Sequence, residues 1–205
     1  TLTTQANTQW RVFSIDETTG EILLTTQGVV NSVVYLKGAT GYLHGAEELN
    51  RICEELYSSG SLTARSMTIE DMNKAVGYDP TTDSEYGKEY TYTSGTFYTY
   101  EENGKTVTSE TPKVASSSNP VTVKHTYYSY NPSSENSTVG NILGSSSGWL
   151  ASPYDDLNFE YANAYYGLRA AFTTLVHACS SVSSVGDVYT PTCGIRPVVS
   201  LSSKL

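Results

Sequence analysis

Two short stretches near the start of the chain alternate apolar and polar side chains, Gln9-Trp-Arg-Val-Phe-Ser-Ile15 and Glu21-Ile-Leu-Leu-Thr25. The residues between them, Asp16-Glu-Thr-Thr-Gly20, are turn formers. A period of two on either side of turn chemistry predicts a β-hairpin. Val29 to Leu36 is a third run of β propensity. The period then changes. In Ala46-Glu-Glu-Leu-Asn-Arg-Ile-Cys-Glu-Glu-Leu-Tyr57 the apolar residues Leu49, Ile52, Cys53 and Leu56 fall on one helical face, acids open the segment and Gly60 follows it. That pattern predicts an amphipathic helix. A second, shorter helix is expected from Thr68 to Val76, with Thr68 as its cap, Asp71 three residues later and Gly77 as its stop.

From Tyr78 to Ser137 the texture is different. Glu89-Tyr-Thr-Tyr-Thr93, Thr96-Phe-Tyr-Thr-Tyr100, Lys105-Thr-Val-Thr108 and Val121-Thr-Val-Lys-His-Thr-Tyr-Tyr128 are short β-prone runs. Asn103-Gly104 is a hairpin turn signal and Ser116-Ser-Ser-Asn-Pro120 a loop. Residues 78–137 therefore read as inserted hairpins and loops, with no chemistry that the residue types name. Further on, Ala162 to Cys179 passes for an amphipathic helix on propensity alone. Gly167 interrupts it, however, and Thr173, Thr174 and Val176 disfavour helix. The strand reading ranks first there.

At 205 residues the chain fits one domain, or one domain with an elaborated insertion. Charged residues are only 16%, so the polar balance is carried by Ser, Thr, Asn, Gly and 17 Tyr. Such a composition suits β-rich extracellular proteins and tyrosine-rich recognition surfaces, not a helical bundle. A net charge of −9 without a basic cluster disfavours nucleic acid and anionic lipid as partners. No apolar run approaches the length that crosses a bilayer. The chain opens at Thr1, which fits removal of a leader or anchor upstream.

Catalytic and metal chemistry find no pattern. Cys53, Cys179 and Cys193 form no metal-ligand spacing, and His44, His125 and His177 are scattered. Cys179 and Cys193 could pair if the fold brings them together; Cys53, in the helical pattern, reads as a buried small hydrophobe. His177 and His44 have no nucleophile-elbow signature near them. The pair Asp155-Asp156 beside Pro153 has the character of a turn. No EF-hand, phosphate-loop or zinc motif is present. The expectation is a non-enzyme with no cofactor and no metal site.

Three separated pieces in the last third of the chain occur in order: Gly148-Trp-Leu-Ala-Ser-Pro153, Ala164-Tyr-Tyr-Gly-Leu-Arg169 and Gly194-Ile-Arg-Pro-Val-Val-Ser-Leu201. In this framework the chain resembles the C-type-lectin-like variable proteins of bacteria and phages that diversity-generating retroelements diversify. The upstream helix Ala46–Tyr57 and the block Met67-Thr-Ile-Glu-Asp-Met-Asn-Lys-Ala-Val-Gly-Tyr78 are similar to those of gut Firmicutes and prophage members. The resemblance covers about two thirds of the chain and is poorest over 78–137. It implies an α+β fold, a C-type-lectin-like domain of the formylglycine-generating-enzyme type spanning 1–205, with two helices, a small antiparallel sheet and an inserted β-hairpin region. The lectin-like segment would be 145–205, with a variable region at 153–193. The enzyme activity of the wider superfamily is not implied, and the EPN or QPD and WND calcium–sugar signatures of true C-type lectins are absent.

That resemblance implies a compositional test. Retroelements of this kind mutate template adenines, often in AAC codons, and the resulting NNC codons never encode Lys, Glu, Gln, Met or Trp. From Pro153 to Cys193, 41 residues, these five types occur once, as Glu160. Elsewhere they occur 27 times in 164 residues, a rate at which the window would hold about seven. A turn-rich β segment that avoids long side chains is the competing explanation. On the diversified reading Cys179 and Cys193 need no structural purpose, since TGC is reachable from AAC.

The resemblance makes Trp149, Leu150, Leu168, Ile195, Val198 and Val199 framework residues, and makes Arg169 and Arg196 framework ties to carboxylates or carbonyls. Ligand-binding positions are expected at Tyr154, Asp155, Asp156, Asn158, Asn163, Phe172, Thr173, Leu175, His177, Val182, Ser183, Asp187 and Tyr189, with Phe172 and Leu175 equally suited to a core. Tyr gives broad amphipathic contact, and Ser and Asn give adaptable hydrogen bonds. The function expected is non-catalytic recognition of a protein or glycan on a target cell or host, by a receptor or adhesin on a bacterial surface or phage particle. The alternative is a pilin-like or virion-tip structural subunit whose C-terminal segment is fixed.

Overall fold

A computed structural model of the chain describes residues 8–34, 44–82, 84, 86–124, 148–158, 163–172, 175–181 and 193–202; along 153–158, 163–172 and 175–181 the description is of the backbone. The class is α+β. Among the described residues there are two α-helices and three sheets of four, seven and two strands.

The predicted N-terminal hairpin forms as β1 (Trp10–Asp16) and β2 (Glu21–Thr26), paired antiparallel. The Asp16 carboxylate accepts from the backbone N–H groups of Thr18 (2.9 Å) and Thr19 (3.1 Å), and Gly20 closes the turn at φ 70°. Side-chain capping of this kind is why Asp opens such turns. The four-stranded sheet runs β1, β2, β13 (Pro197–Ser202), β4 (Ala64–Ser66), all antiparallel. The chain's near-final strand thus lies between its second strand and a short strand from its middle.

α1 (Gly45–Tyr57) follows the sequence pattern, burying Leu49, Ile52 and Cys53. On its outer side Arg51 bonds Glu48 and, at 2.6 Å, Glu55, spacings that favour such pairs on a helix surface. The helix ends at Ser58 in extended conformation; Gly60 (φ 61°) belongs instead to the turn that follows. Asn50 Oδ1 accepts from the Ser66 N–H and Ser58 Oγ from the Ala64 N–H, both at 2.9 Å. Helical side chains thereby occupy donors on β4 at the sheet edge, one way to close an edge against further pairing.

α2 (Ile69–Val76) carries the expected capping box: Thr68 Oγ1 accepts from the Asp71 N–H, and Asp71 accepts from the Thr68 N–H at 2.9 Å. Gly77 ends it in the left-handed region, φ 69°. Asp71 also takes both guanidinium arms of Arg65, with Nη2 at 2.7 Å from Oδ1. One buried carboxylate therefore starts the helix and ties it to β4.

β3 (Val30–Val34) realises the described part of the third β run; residues 35 and 36 lie outside the described residues. The seven-stranded sheet has the order β3, β12 (Cys193–Ile195), β9 (Gly148–Asn158), β10 (Asn163–Phe172), β6 (Gly95–Glu102), β7 (Lys105–Ala115), with β11 (Leu175–Ser181) also on β10. Asn163–Phe172 and Leu175–Ser181 are strands, as the strand reading of 162–179 expected. The sheet is larger than the small antiparallel sheet expected and is mixed, because β12–β9 and β10–β6 pair parallel. In the 78–137 segment the four β-prone runs become β5 (Glu89–Tyr92), β6, β7 and β8 (Val121–Lys124), with β5 and β8 making the two-stranded sheet. Asn103 (φ 54°) and Gly104 (φ 72°) turn β6 into β7, the positive-φ pair that a tight hairpin requires. Residues 125–137 lie outside the described residues.

Three apolar clusters result. α1 packs on Val30, Val34, Trp149, Ala151, Cys193 and Ile195. α2 packs with Leu23, Met67, Leu150 and Val198. The inserted hairpins hold their own, built from Tyr92, Phe97, Ala115, Val121 and Val123.

Gly148 is where β3's lead-in and β9 approach most closely. A Cβ there would stand 2.8 Å from Val29 Cγ1, well inside contact distance, against a branched side chain that has no flexible end to move. Gly148→Ala is expected to lower unfolding free energy by about 1–3 kcal/mol. Urea denaturation measures it, and an unchanged midpoint would show that Val29 yields.

Candidate functional site

The frame of the C-terminal segment is buried throughout. Trp149, Leu150, Ile195 and Val198 are inaccessible and Val199 nearly so, as the framework reading expected. Leu168 lies on β10 in the backbone description. Trp149 donates its indole N–H to the Val34 carbonyl at 3.0 Å, the Ala151 N–H donates to the Met67 carbonyl at 2.8 Å, and the Met67 N–H donates to the Arg196 carbonyl at 2.9 Å. Ser152 Oγ accepts from the Ile69 N–H at 2.7 Å, satisfying a backbone donor at the start of α2. Arg196 is wholly buried and gives Nη1 to the Thr26 carbonyl at 3.2 Å, the carbonyl tie expected of it. Burial, reinforced by the nearby charge of Arg11, lowers its pKa to about 10. The group therefore stays cationic at neutral pH. The Arg169 side chain lies outside the described residues.

β9 and β10 leave this frame as a long antiparallel pair in the register Asn163↔Asn158, Tyr165↔Asp156 and Gly167↔Tyr154. Directly paired residues share a face and successive ones alternate. The register thus places Tyr154, Asp156, Asn158 and Asn163 on one face. Asp155, paired with Tyr166, falls on the other. Phe172↔Leu175 and Ala170↔His177 place Phe172, Leu175 and His177 on that second face too. The expected ligand positions within the strands are therefore divided four and four between the two faces. Thr173, Val182, Ser183, Asp187 and Tyr189 lie outside the described residues.

Sequence reasoning missed what adjoins these strands. Ala164 of β10 pairs in parallel with Phe97 of β6, so the inserted hairpin β6–β7 continues the sheet that carries the candidate positions. Phe97 is fully buried against Tyr92, ring centroids 4.8 Å apart, which fixes the second face as the packed one at this point. No local pattern encodes a pairing between positions 97 and 164.

Asp155 and Asp156 are consecutive on a strand, hence on opposite faces, and cannot work as a carboxylate pair on one substrate. His44 sits at the start of α1 with Nδ1 3.6 Å from Glu47, on an exposed surface; His125 lies outside the described residues. Among the described residues no group of three or more His, Cys, Asp or Glu side chains is placed to hold a metal ion, and no helix is long and apolar enough to cross a membrane. Cys193 and Cys53 are buried, and the Cys179 side chain lies outside the described residues. No protein-family model, no curated protein and no solved structure matches the chain.

Cys53 is inert as a nucleophile for a physical reason. Burial pushes its thiol up to about 12, against the opposing hydrogen bond with Ser66 and the charge of Arg65. An unfolded thiol ionises near pH ~8.5. Between that pH and about 12 the native state binds the extra proton, so stability must fall as pH rises through this window. Alkylation of native protein at pH 8 is expected to spare Cys53, with labelling appearing only in denaturant. Mass-mapped labelling of Cys53 under native conditions would contradict the burial.

Proposed function

We propose that this chain is a non-catalytic binding protein whose C-terminal segment is a sequence-diversified recognition surface on a C-type-lectin-like domain of the formylglycine-generating-enzyme type. The observation that carries the reading is the loss of Lys, Glu, Gln, Met and Trp across 153–193, where Glu160 is the one exception. That window is bracketed by two buried frame segments, Gly148–Ser152 and Cys193–Val199, joined to the helices and to each other's neighbours by backbone and side-chain hydrogen bonds. A surface that must accept arbitrary substitutions needs its folding energy stored elsewhere, and a bracketing frame supplies it. The ligand is a protein or glycan on a target cell or host, the carrier a bacterial surface or phage particle, and recognition requires no cofactor.

Sequencing this gene across sibling genomes of one population tests the reading. Substitutions confined to 153–193 and falling at adenine-templated codons are the expected outcome. A segment that is invariant, or that drifts like the rest of the gene, removes diversification.

A second reading, a structural subunit that packs on its neighbours, is favoured by one specific feature. The register of the four-stranded sheet aligns Val12 with Leu24 and Val199, and Ile15 with Ile22 and Leu201, as two apolar rows on the face opposite Leu23 and Val198. On β1 that face stays open, with Trp10 37%, Val12 52% and Ile15 60% exposed. Exposed apolar area of this kind marks interaction surfaces. If it drives assembly, sedimentation velocity detects oligomers that Val12→Asp with Ile15→Asp abolishes. A monomer at every concentration disposes of this reading.

A further inference from the structure

The β6–β7 hairpin comes from the one segment in which the residue types name no chemistry, yet it is built into the sheet that carries the candidate surface. Phe97 stands beside Ala164 and pairs across to Lys113, while Gly95 pairs with Ala115. Phe97 and Ala115 are buried in the hairpins' own cluster. Their strand neighbours, Thr96 and Val114, also pair with each other and so occupy the opposite face. It is the face on which the register places Tyr154, Asp156, Asn158 and Asn163. Thr96 is half-buried, but Val114 is 61% exposed, more than any other large hydrophobic residue among those described. A valine so exposed gains little from folding; its apolar area is left for contact with something else.

We infer that Thr96 and Val114 form a constant border of the recognition face, and that the partner this face fits is a folded protein presenting a cationic epitope. The inference rests on the binding reading above and adds to it the partner's chemistry. Four strands, β7, β6, β10 and β9, span about 14 Å at the usual strand spacing, a breadth suited to a protein epitope rather than a single sugar ring. Asp156 is the one charged residue among the six positions, and the chain as a whole carries −9. A basic side chain flanked by apolar surface complements a face that holds both an aspartate position and, at its border, an exposed valine, and an acidic epitope would be repelled. Diversified positions would then set which epitope is chosen, while the hairpin supplies a fixed apolar contact common to every variant.

The test displays the full chain on yeast with Tyr154, Asn158 and Asn163 randomised and Asp156 retained, and selects against lysozyme, a basic folded protein, and in parallel against an acidic one. Lysozyme binders are expected to predominate. Val114→Lys in these clones should weaken binding about tenfold, and Val114→Ala less. Display level and melting should stay unchanged because the site is exposed. Ser61→Lys, in the exposed turn after α1, controls for added charge and should leave binding unaltered. If Val114→Lys stays within about twofold of its parent across the clones, the hairpin is no part of the interface. Equal recovery of acidic-target binders, strengthened by Val114→Lys, would overturn the cationic partner. A folded library with no binder to either target would overturn the recognition reading itself, and this inference with it.

Discussion

Everything positioned in the C-terminal third depends on five residues of one strand. Gly148 to Ser152 enter β9 without accessible surface to spare and are bonded on every side: Trp149 to the β3 carbonyl at Val34, Ala151 to Met67 just before α2, Ser152 to the first N–H of that helix. Residues 148 and 194 also pair in parallel, so the strand that enters the candidate surface and the one that returns from it are held side by side. Because each buried donor or acceptor costs about 1–3 kcal/mol if left unpaired, this bonding specifies one position for β9. The strand beyond Ser152 continues from that position and pairs with β10. A frame that is over-determined is the physical condition for a neighbouring segment whose sequence is free to change.

Local elements were legible in the sequence because their causes are local. The period change at Ala46, the Thr68–Asp71 reciprocal cap and the Asn103-Gly104 turn each rest on interactions within a few residues, and each forms where its residues call for it. α1 ends at Tyr57, where its apolar pattern ends; the Ser58 side chain just beyond is used by β4, and Gly60 serves the turn that follows. What stayed illegible is pairing at long range. That β13 lies between β2 and β4, or that Phe97 meets Ala164, depends on which faces the helices bury and leaves no mark in either segment alone. The candidate positions illustrate the same limit. Alternation from a framework residue gave a set of thirteen, but only register divides its strand members into Tyr154, Asp156, Asn158 and Asn163 on one face and Asp155, Phe172, Leu175 and His177 on the other.

Charge placement follows the same division between frame and surface. The ionic groups with strong partners are structural: Arg65 with Asp71, Arg51 with Glu48 and Glu55, Lys74 between Asp16 and Glu21. Asp16 illustrates how these are used. Its carboxyl is held below the usual range chiefly by the Thr19 N–H, with Lys74 and the Thr18 N–H adding to it. Its stabilising effect is therefore present above the unfolded carboxylate range and fades as pH falls through the lowered value. None of these pairs lies on the four-residue face of β9 and β10.

An inserted hairpin set with its own apolar cluster is an expensive addition unless it does something for the sheet it joins. β10 has β9 along one edge, and β11 and β6 share the other, β11 from Gly167 onward and β6 at Ala164. Without β6 the first part of β10 would present an open edge there, the condition under which strands slip in register or recruit foreign strands. The outer strand of the extension, β7, carries Pro112 and an irregularity opposite Phe97–Thr99, features that disfavour further pairing. The β6–β7 hairpin thus moves the exposed edge away from the candidate positions. A one-residue slip would exchange the two faces entirely, placing Asp155 where Asp156 now stands. For a pair of strands whose faces are set by alternation, closing that edge keeps the two faces distinct.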